Sequence, residues 1–344
     1  MKICRRSLIG GALAATFAAS GSRADPAEFY RGNKIRLLIG TTPGAGYDLI
    51  GRFVAAHLGK HVPGNPSVIV ENMPGAGSLT MVNHLYNRAA RDGTAMGLPL
   101  NGILLEPTLK LLSRTGGTVG FDITKMSWVG STSEEPQVLW FKSDSKIKTI
   151  DDLRTVTGVV GASSPGADNF TVAMLTNKLL GAKMNVVRGY RGTQPVFLAA
   201  ERGEVEGSAT AYAAIVVAKG DWLRDKKIRL LIQYGTDRLS ELPDVPTAIE
   251  LTDDAEHKAM LTFFATKFKA AYPFVLPPEV PADQVEVIRA AFQSTLTDPD
   301  FVAAIRKAGL RLKPVSGPEI EKLIQSTYKV SPQVIDRLRN LIEG

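Results

Sequence analysis

The period of the apolar positions changes along this chain, and each change marks an element. Ile35 to Ile39 is an apolar run broken only by Arg36, which predicts a strand. Past the turn Thr42-Pro43-Gly44-Ala45-Gly46 the spacing becomes helical, with Leu49, Ile50, Phe53 and Val54 on one face of a helix ending near Gly59. A strand that turns through glycines into a helix aims free backbone N–H groups at one point. The helix dipole adds partial positive charge there, so the turn is a cradle for an anion.

Two later stretches repeat this grammar. Val68-Ile69-Val70 reads as a strand, Asn72 to Ser78 as a glycine turn, and Leu79 to Ala90 as a helix. Val156 to Val160 is a strand, Gly161 to Asn169 a third glycine turn, and Phe170 to Leu180 its helix. Ala95 to Leu98 is a short strand, and Ile103 to Leu112 reads as a helix. Thr42, Asn72 and Asn101 lie just past strand ends, where open parallel sheets bind ligands. Further strands are predicted at Met126–Val129, Gln137–Phe141, Met184–Val187, Val205–Ala209, Ile228–Ile232 and Tyr272–Leu276. Thr149, Asp298-Pro299 and Ser331-Pro332 are helix starts. Strands alternating with helices from end to end predict an α/β protein with mostly parallel sheets. A chain of 344 residues is long enough for two domains. Their expected extents are 25–127 together with 237–344, and 128–236.

Charge changes the picture at the N-terminus. Lys2, Arg5 and Arg6 precede the apolar stretch Leu8–Ala19, and Ser22-Arg23-Ala24 ends in small residues. Residues 1–24 are therefore predicted to be a signal peptide cleaved after Ala24, of the Sec or the twin-arginine type. The apolar stretch is too short to span a bilayer. Removing its four cations lowers the net charge from +7 to +3, with the remaining charges interspersed. No basic stripe suited to a nucleic acid is present. The only cysteine, Cys4, falls inside the signal, which excludes a disulfide framework and thiol chemistry from the remainder.

Chemistry is sparse. None of the three cradles carries Lys or Arg, and none has the P-loop glycine–lysine pair. Gly44 and Gly46 lack the third glycine of a dinucleotide fingerprint. A small carboxylate held by neutral amides and hydroxyls suits such loops better than a nucleotide phosphate. Tyr47 is placed to wall the pocket, or to lie half-buried on its helix. Asp48 can pair with Arg52 at i+4, a plain helix stabiliser. His57 and His61 share a helix face, but Leu58 stands where a zinc protease needs glutamate, and a solvated helix end is the better reading. There is no Gly-x-Ser-x-Gly elbow and no metal-ligand spacing. No cofactor, metal or catalytic group is expected.

The motifs Pro43-Gly44-Ala45-Gly46-Tyr47-Asp48 with Arg52, and Glu71 to Ser78, occur in a telling order with several others. These are Asp92-Gly93-Thr94, Gly189-Tyr190-Arg191-Gly192 with Pro195, Gly203 to Glu206, and Leu242-Pro243-Asp244-Val245-Pro246-Thr247. Over essentially the whole chain past the signal, the sequence resembles the Bug family, periplasmic solute-binding proteins of tripartite tricarboxylate transporters. The resemblance implies a two-domain Venus-flytrap fold of the type II-like kind, closing on a small carboxylate for delivery to a membrane permease. It implies ligand contacts from Pro43, Gly44, Ala45, Gly46, Tyr47 and Asp48, from Gly75, Ala76 and Ser78, and from Ser164, Gly166 and Ala167. Asn101 joins them by its place at a strand end. Arg191 joins them as the replacement for a lysine after Tyr190, keeping the charge with a different geometry. Ala45 stands where many relatives have glycine. Phe170 stands where many have histidine, which makes that side of the pocket more apolar.

The expected function is a monomeric periplasmic carboxylate-binding protein serving a tripartite-type permease. The alternatives are a sensor partner of a membrane receptor and, further off, a periplasmic enzyme acting on an anion.

Overall fold

A computed structural model describes residues 25–44, 46–111, 118–163 and 167–343. Residues 1–24, where a signal peptide is expected, and the site candidates Ala45, Ser164 and Gly166 lie outside the described residues. The strands are β1 (Lys34–Ile39), β2 (Ser67–Asn72), β3 (Ala95–Leu98), β4 (Met126–Ser131), β5 (Gln137–Lys142), β6 (Gly158–Gly161), β7 (Met184–Val187), β8 (Gly207–Ala211), β9 (Ile228–Tyr234), β10 (Pro273–Pro278) and β11 (Val315–Ser316). They form two sheets, ordered β11-β4-β10-β3-β1-β2 and β7-β6-β8-β5-β9.

The two sheets share one plan. In the first, β2 and β3 run parallel to β1, while β10 is antiparallel to both β3 and β4. In the second, β7 and β8 run parallel to β6, while β5 is antiparallel to both β8 and β9. Thus β1, β2, β3, β10 and β4 correspond to β6, β7, β8, β5 and β9. Each sheet's antiparallel central strand arrives from the other sheet, because β4 leads into β5 and β10 follows the β9 half of the chain. The expected mostly parallel sheets are therefore mixed ones. Helices cover the faces, so each lobe has apolar layers on its sheet.

The lobe limits differ from those drawn from the sequence. Residue 128 falls inside β4, which pairs in the first sheet, so the outward passage is 132–136. The return does not lie at 237. The helix Ala255–Thr266 buries Met260, Phe263 and Phe264 with Leu139, Phe141 and Val172 of the second lobe. The chain then passes back beside the outward segment, where Glu135 N–H donates to Phe268 O and Ala271 N–H to Ser133 O. The final helix Pro332–Glu343 also belongs to the second lobe, through Ile335 and Leu338. The helix expected over 103–112 is interrupted. A single 3-10 turn, Asn101–Leu104, precedes a short helix, Glu106–Leu109, because Pro107 disfavours continuous α geometry just before it.

Candidate functional site

The three loops past β1, β2 and β3 come together at one end of the first sheet. Gly44 turns with φ +80°, a conformation glycine adopts without strain. The helix Gly46–Leu58 follows, and its second residue after Gly46 is Asp48, a buried carboxylate. Asp48 Oδ2 accepts from Gly44 N–H at 2.8 Å and from Arg52 Nε at 2.9 Å. Its Oδ1 accepts from Asn72 Nδ2 at 2.8 Å. Asn72, at the end of β2, also donates to Thr41 O and accepts from Arg52 Nη2. The Arg52 hydrogen bond, reinforced by Gly44 and Asn72, holds the Asp48 carboxyl at about 2, below its usual range. The i,i+4 pair is thus present, but it does more than stabilise a helix. It fixes the first cradle onto the second. In this arrangement Asp48 braces the loop, and the Gly44 N–H is directed at Asp48 rather than outward.

The second loop contains four successive residues with positive φ: Gly75 (143°), Ala76 (42°), Gly77 (63°) and Ser78 (79°). Ser78 N–H donates to Gly75 O, closing a left-handed turn. Left-handed geometry at Ala76 and Ser78 costs roughly 1–2 kcal/mol per residue, and such strain persists where surrounding contacts dictate it. One of those contacts is Ser78 itself. Its hydroxyl donates to Gly40 O and accepts from Leu100 N–H, each at 3.0 Å, and the residue is fully buried. The sequence places Ser78 among the ligand contacts; the structure puts its side chain beneath the cleft, tying the ends of β1 and β3. A Cβ on Gly40 would lie 2.3 Å from Ser78 Oγ, so glycine is required there.

Tyr47 links the first lobe to the crossing. Its hydroxyl donates to Ala271 O at 2.5 Å and accepts from Asn101 N–H at 3.1 Å. Its ring lies 4.9 Å from that of Tyr272. Burial raises the phenol's pKa well above its ordinary value, so it stays protonated. Asn101 Nδ2 donates to Lys267 O. Pro43, Gly46, Gly75 and Ala76 border the same end of the sheet.

On the second lobe, Ala167 precedes the helix Asp168–Leu180. Asn169 clasps Ser163, accepting from its N–H and donating to its Oγ. The loop past β7 packs against this turn, with Gly189 N–H on Ser163 O and Tyr190 N–H on Ala162 O. Arg191 is exposed on that loop. Two groups here carry no motif in the sequence. Lys267, almost fully buried, is paired with Asp168 and stands over the rings of Phe264 and Phe268. Its only sequence signal is a lysine set inside an aromatic helix end. Arg188 stands 5.9 Å over the ring of Phe170.

Two lobes of one plan, joined by paired crossings and facing each other across strand-end loops, define a Venus-flytrap solute-binding protein. The chain belongs to the TctC family, the tripartite tricarboxylate transporter family receptors, whose model matches residues 50–340. Among curated proteins it is 25% identical over 317 residues to a UPF0065 protein of Pseudomonas sp. (strain P51), covering 89% of this chain and 86% of that one. It is 26% identical over 243 residues to BugT of Bordetella pertussis, covering 68% and 71%. Among solved structures, a ligand-free TctC solute-binding protein from Polaromonas superposes with a TM-score of 0.69, at 18% identity over 91% of this chain and 99% of that one. MatC of Rhodopseudomonas palustris with bound malate gives 0.59 at 18% identity, covering 90% and 99%. A second protein of that organism, with adipate, gives 0.62 at 17% identity, covering 90% and 97%. At these identities the structures establish the fold alone. No helix among the described residues is long and apolar enough to cross a membrane.

Proposed function

We propose that this chain, once exported and freed of residues 1–24, captures a small carboxylate between its lobes in the periplasm. It then presents the ligand, unchanged, to a tripartite tricarboxylate-type permease, acting as a monomer. The observation that carries the reading is the coupling of the first two loops through Asp48, Asn72 and Arg52. That coupling holds two strand-end turns at a fixed spacing and leaves their edge neutral, which suits a carboxylate held by amides and bound water. The malate and adipate of the two Rhodopseudomonas palustris proteins support the same class. Pro43, Gly44, Ala45, Gly46, Gly75 and Ala76 would form the grip of the first lobe, with Tyr47 and Asn101 as its wall. Ser164, Gly166, Ala167 and Arg191 would close on it from the second.

Native mass spectrometry of the purified protein, followed by thermal unfolding against mono-, di- and tricarboxylates, tests this. A ligand at 100 times its dissociation constant should stabilise by about 2.7 kcal/mol. A hit that is carried through unaltered supports the proposal. No shift with any acid and no co-purified small molecule would sink it.

A further inference from the structure

The shared plan of the lobes sets their loops against one another. The turn past β1 corresponds to the turn past β6, and the loop past β2 to the loop past β7. In the first lobe the loop past β2 is neutral, carrying Gly75, Ala76 and Gly77. Its counterpart, 188–192, carries two guanidinium groups, Arg188 and Arg191. Both are exposed, and no carboxylate among the described residues pairs with either. The turn past β6 is different again: the first helical residue after it, Asp168, puts a carboxylate at that helix start, neutralised by Lys267. An incoming anion meets a neutralised ion pair there, whereas it meets an unpaired cation one loop away. Arg188 is also the better placed of the two arginines. It rests on the buried ring of Phe170, a platform that favours a guanidinium and limits the directions it samples. The loop that carries it is bonded to the β6 turn by Gly189 and Tyr190, so it moves with the second lobe.

We infer that Arg188 is the specificity determinant of the second lobe, gripping a second anionic group at the far end of the ligand while the first lobe holds the near carboxylate. The inference rests on the reading above and assigns the discrimination of two-headed from one-headed acids to one side chain. Closure removes water from around the guanidinium, and its planar fork matches a carboxylate with two parallel hydrogen bonds.

Isothermal titration of the purified protein with succinate, malate, glutarate, adipate and suberate, and with butyrate, valerate, hexanoate and octanoate, separates the outcomes. The best diacid should bind about tenfold or more tightly than its monoacid counterpart, as a charged hydrogen bond implies. Arg188→Ala should erase that ratio and leave the monoacid affinity unchanged. Arg188→Lys should restore part of it, and Arg191→Ala should weaken diacids and monoacids alike and so keep most of the ratio. Because Arg188 is exposed, its variants should melt with the wild type, which is the control for folding. Equal binding of diacids and monoacids by the wild type overturns the second grip but leaves carboxylate capture standing. A preserved ratio in Arg188→Ala overturns the assignment to this residue. Failure of every acid to bind overturns the functional reading and this inference together.

Discussion

The Asn72 amide donates to the Asp48 carboxylate at 2.8 Å, joining the end of β2 to the helix that follows β1. Three protein donors converge on the two oxygens of Asp48, from Gly44, Arg52 and Asn72. Asp48→Ala would take the acceptor from the half-buried Asn72 amide and from Gly44 N–H on its exposed turn, and leave Arg52 without its carboxylate. A hydrogen bond to a charged group contributes about 1.5–3 kcal/mol, and less where water can replace the lost partner. The variant should therefore be less stable by about 1–3 kcal/mol in urea unfolding and lose ligand affinity in step. Unchanged urea unfolding with lost binding would instead make Asp48 a direct ligand contact. The pH dependence has a definite sign. The carboxyl is depressed in the fold, so its stabilisation is present above the unfolded carboxylate range and fades as pH falls toward about 2.

Gly75 should be the most sensitive position of the second loop. Its φ of 143° is open to glycine, and a Cβ there would meet Thr80 Oγ1 at 2.5 Å. Gly75→Ala must rotate Thr80 or rebuild the left-handed turn, at a cost of about 1–3 kcal/mol. Ligand affinity should fall by at least tenfold while the far-ultraviolet spectrum stays native. Titration calorimetry on the variant checks this, and wild-type affinity would remove the loop from the site.

The cradles were legible because a glycine turn between a strand and a helix is a local signal, complete within about ten residues. What each side chain does there was not. Asp48 and Arg52 are neighbours in sequence, but Asn72 reaches them only because β1 and β2 pair in parallel register. Ser78 reads as a cradle hydroxyl until the left-handed run Gly75–Ser78 turns it inward onto Gly40. The lobe limits were hidden for a related reason. Ser331-Pro332 predicts the final helix without saying which sheet it covers, and nothing in the stretch Ala255–Thr266 assigns it to a lobe. Arg188 and Lys267 are single cations with no motif, and only the placement of Phe170, Phe264 and Phe268 beside them marks them out.

Tyr47 should couple binding to lobe geometry. Tyr47→Phe keeps the ring against Tyr272 but strips the acceptor from Asn101 N–H and the donor from Ala271 O. The loss should be about 1–3 kcal/mol of stability. Because Ala271 lies in the return crossing, small-angle scattering of the free variant should also show a broader distribution of lobe separations. A scattering profile identical to wild type would confine Tyr47 to the first lobe.

Lys267→Met tests the buried ion pair. Methionine fills the space among Phe264 and Phe268, but Asp168 is left as an unpaired acid at the lobe interface. Breaking a buried pair from one side costs about 3–5 kcal/mol, and the partial exposure of Asp168 should bring this nearer 2. Adding Asp168→Asn should recover most of the loss. A double variant no more stable than Lys267→Met alone would assign the cost to the lysine's ring contacts instead.

Glu135 gives the outward crossing its own pH dependence. Burial pushes its carboxyl from 4.5 up to about 7, opposed by the hydrogen bond from Ala213 N–H and by Arg311. A raised acid binds its proton more tightly in the folded state than in the unfolded one. Its contribution is therefore complete below about 4.5 and is lost as pH rises toward about 7. Glu135→Gln keeps an acceptor for Ala213 and cannot ionise. The stability of the variant relative to wild type should thus rise by about 1–3 kcal/mol between pH 5 and pH 8. Glu134, Glu241, Arg311, Tyr212 and Tyr272 surround the group and are common to both proteins, so the difference isolates Glu135. Urea unfolding at several pH values measures it, and a difference that does not change with pH would show that Glu135 ionises in the folded protein as it does in the unfolded chain.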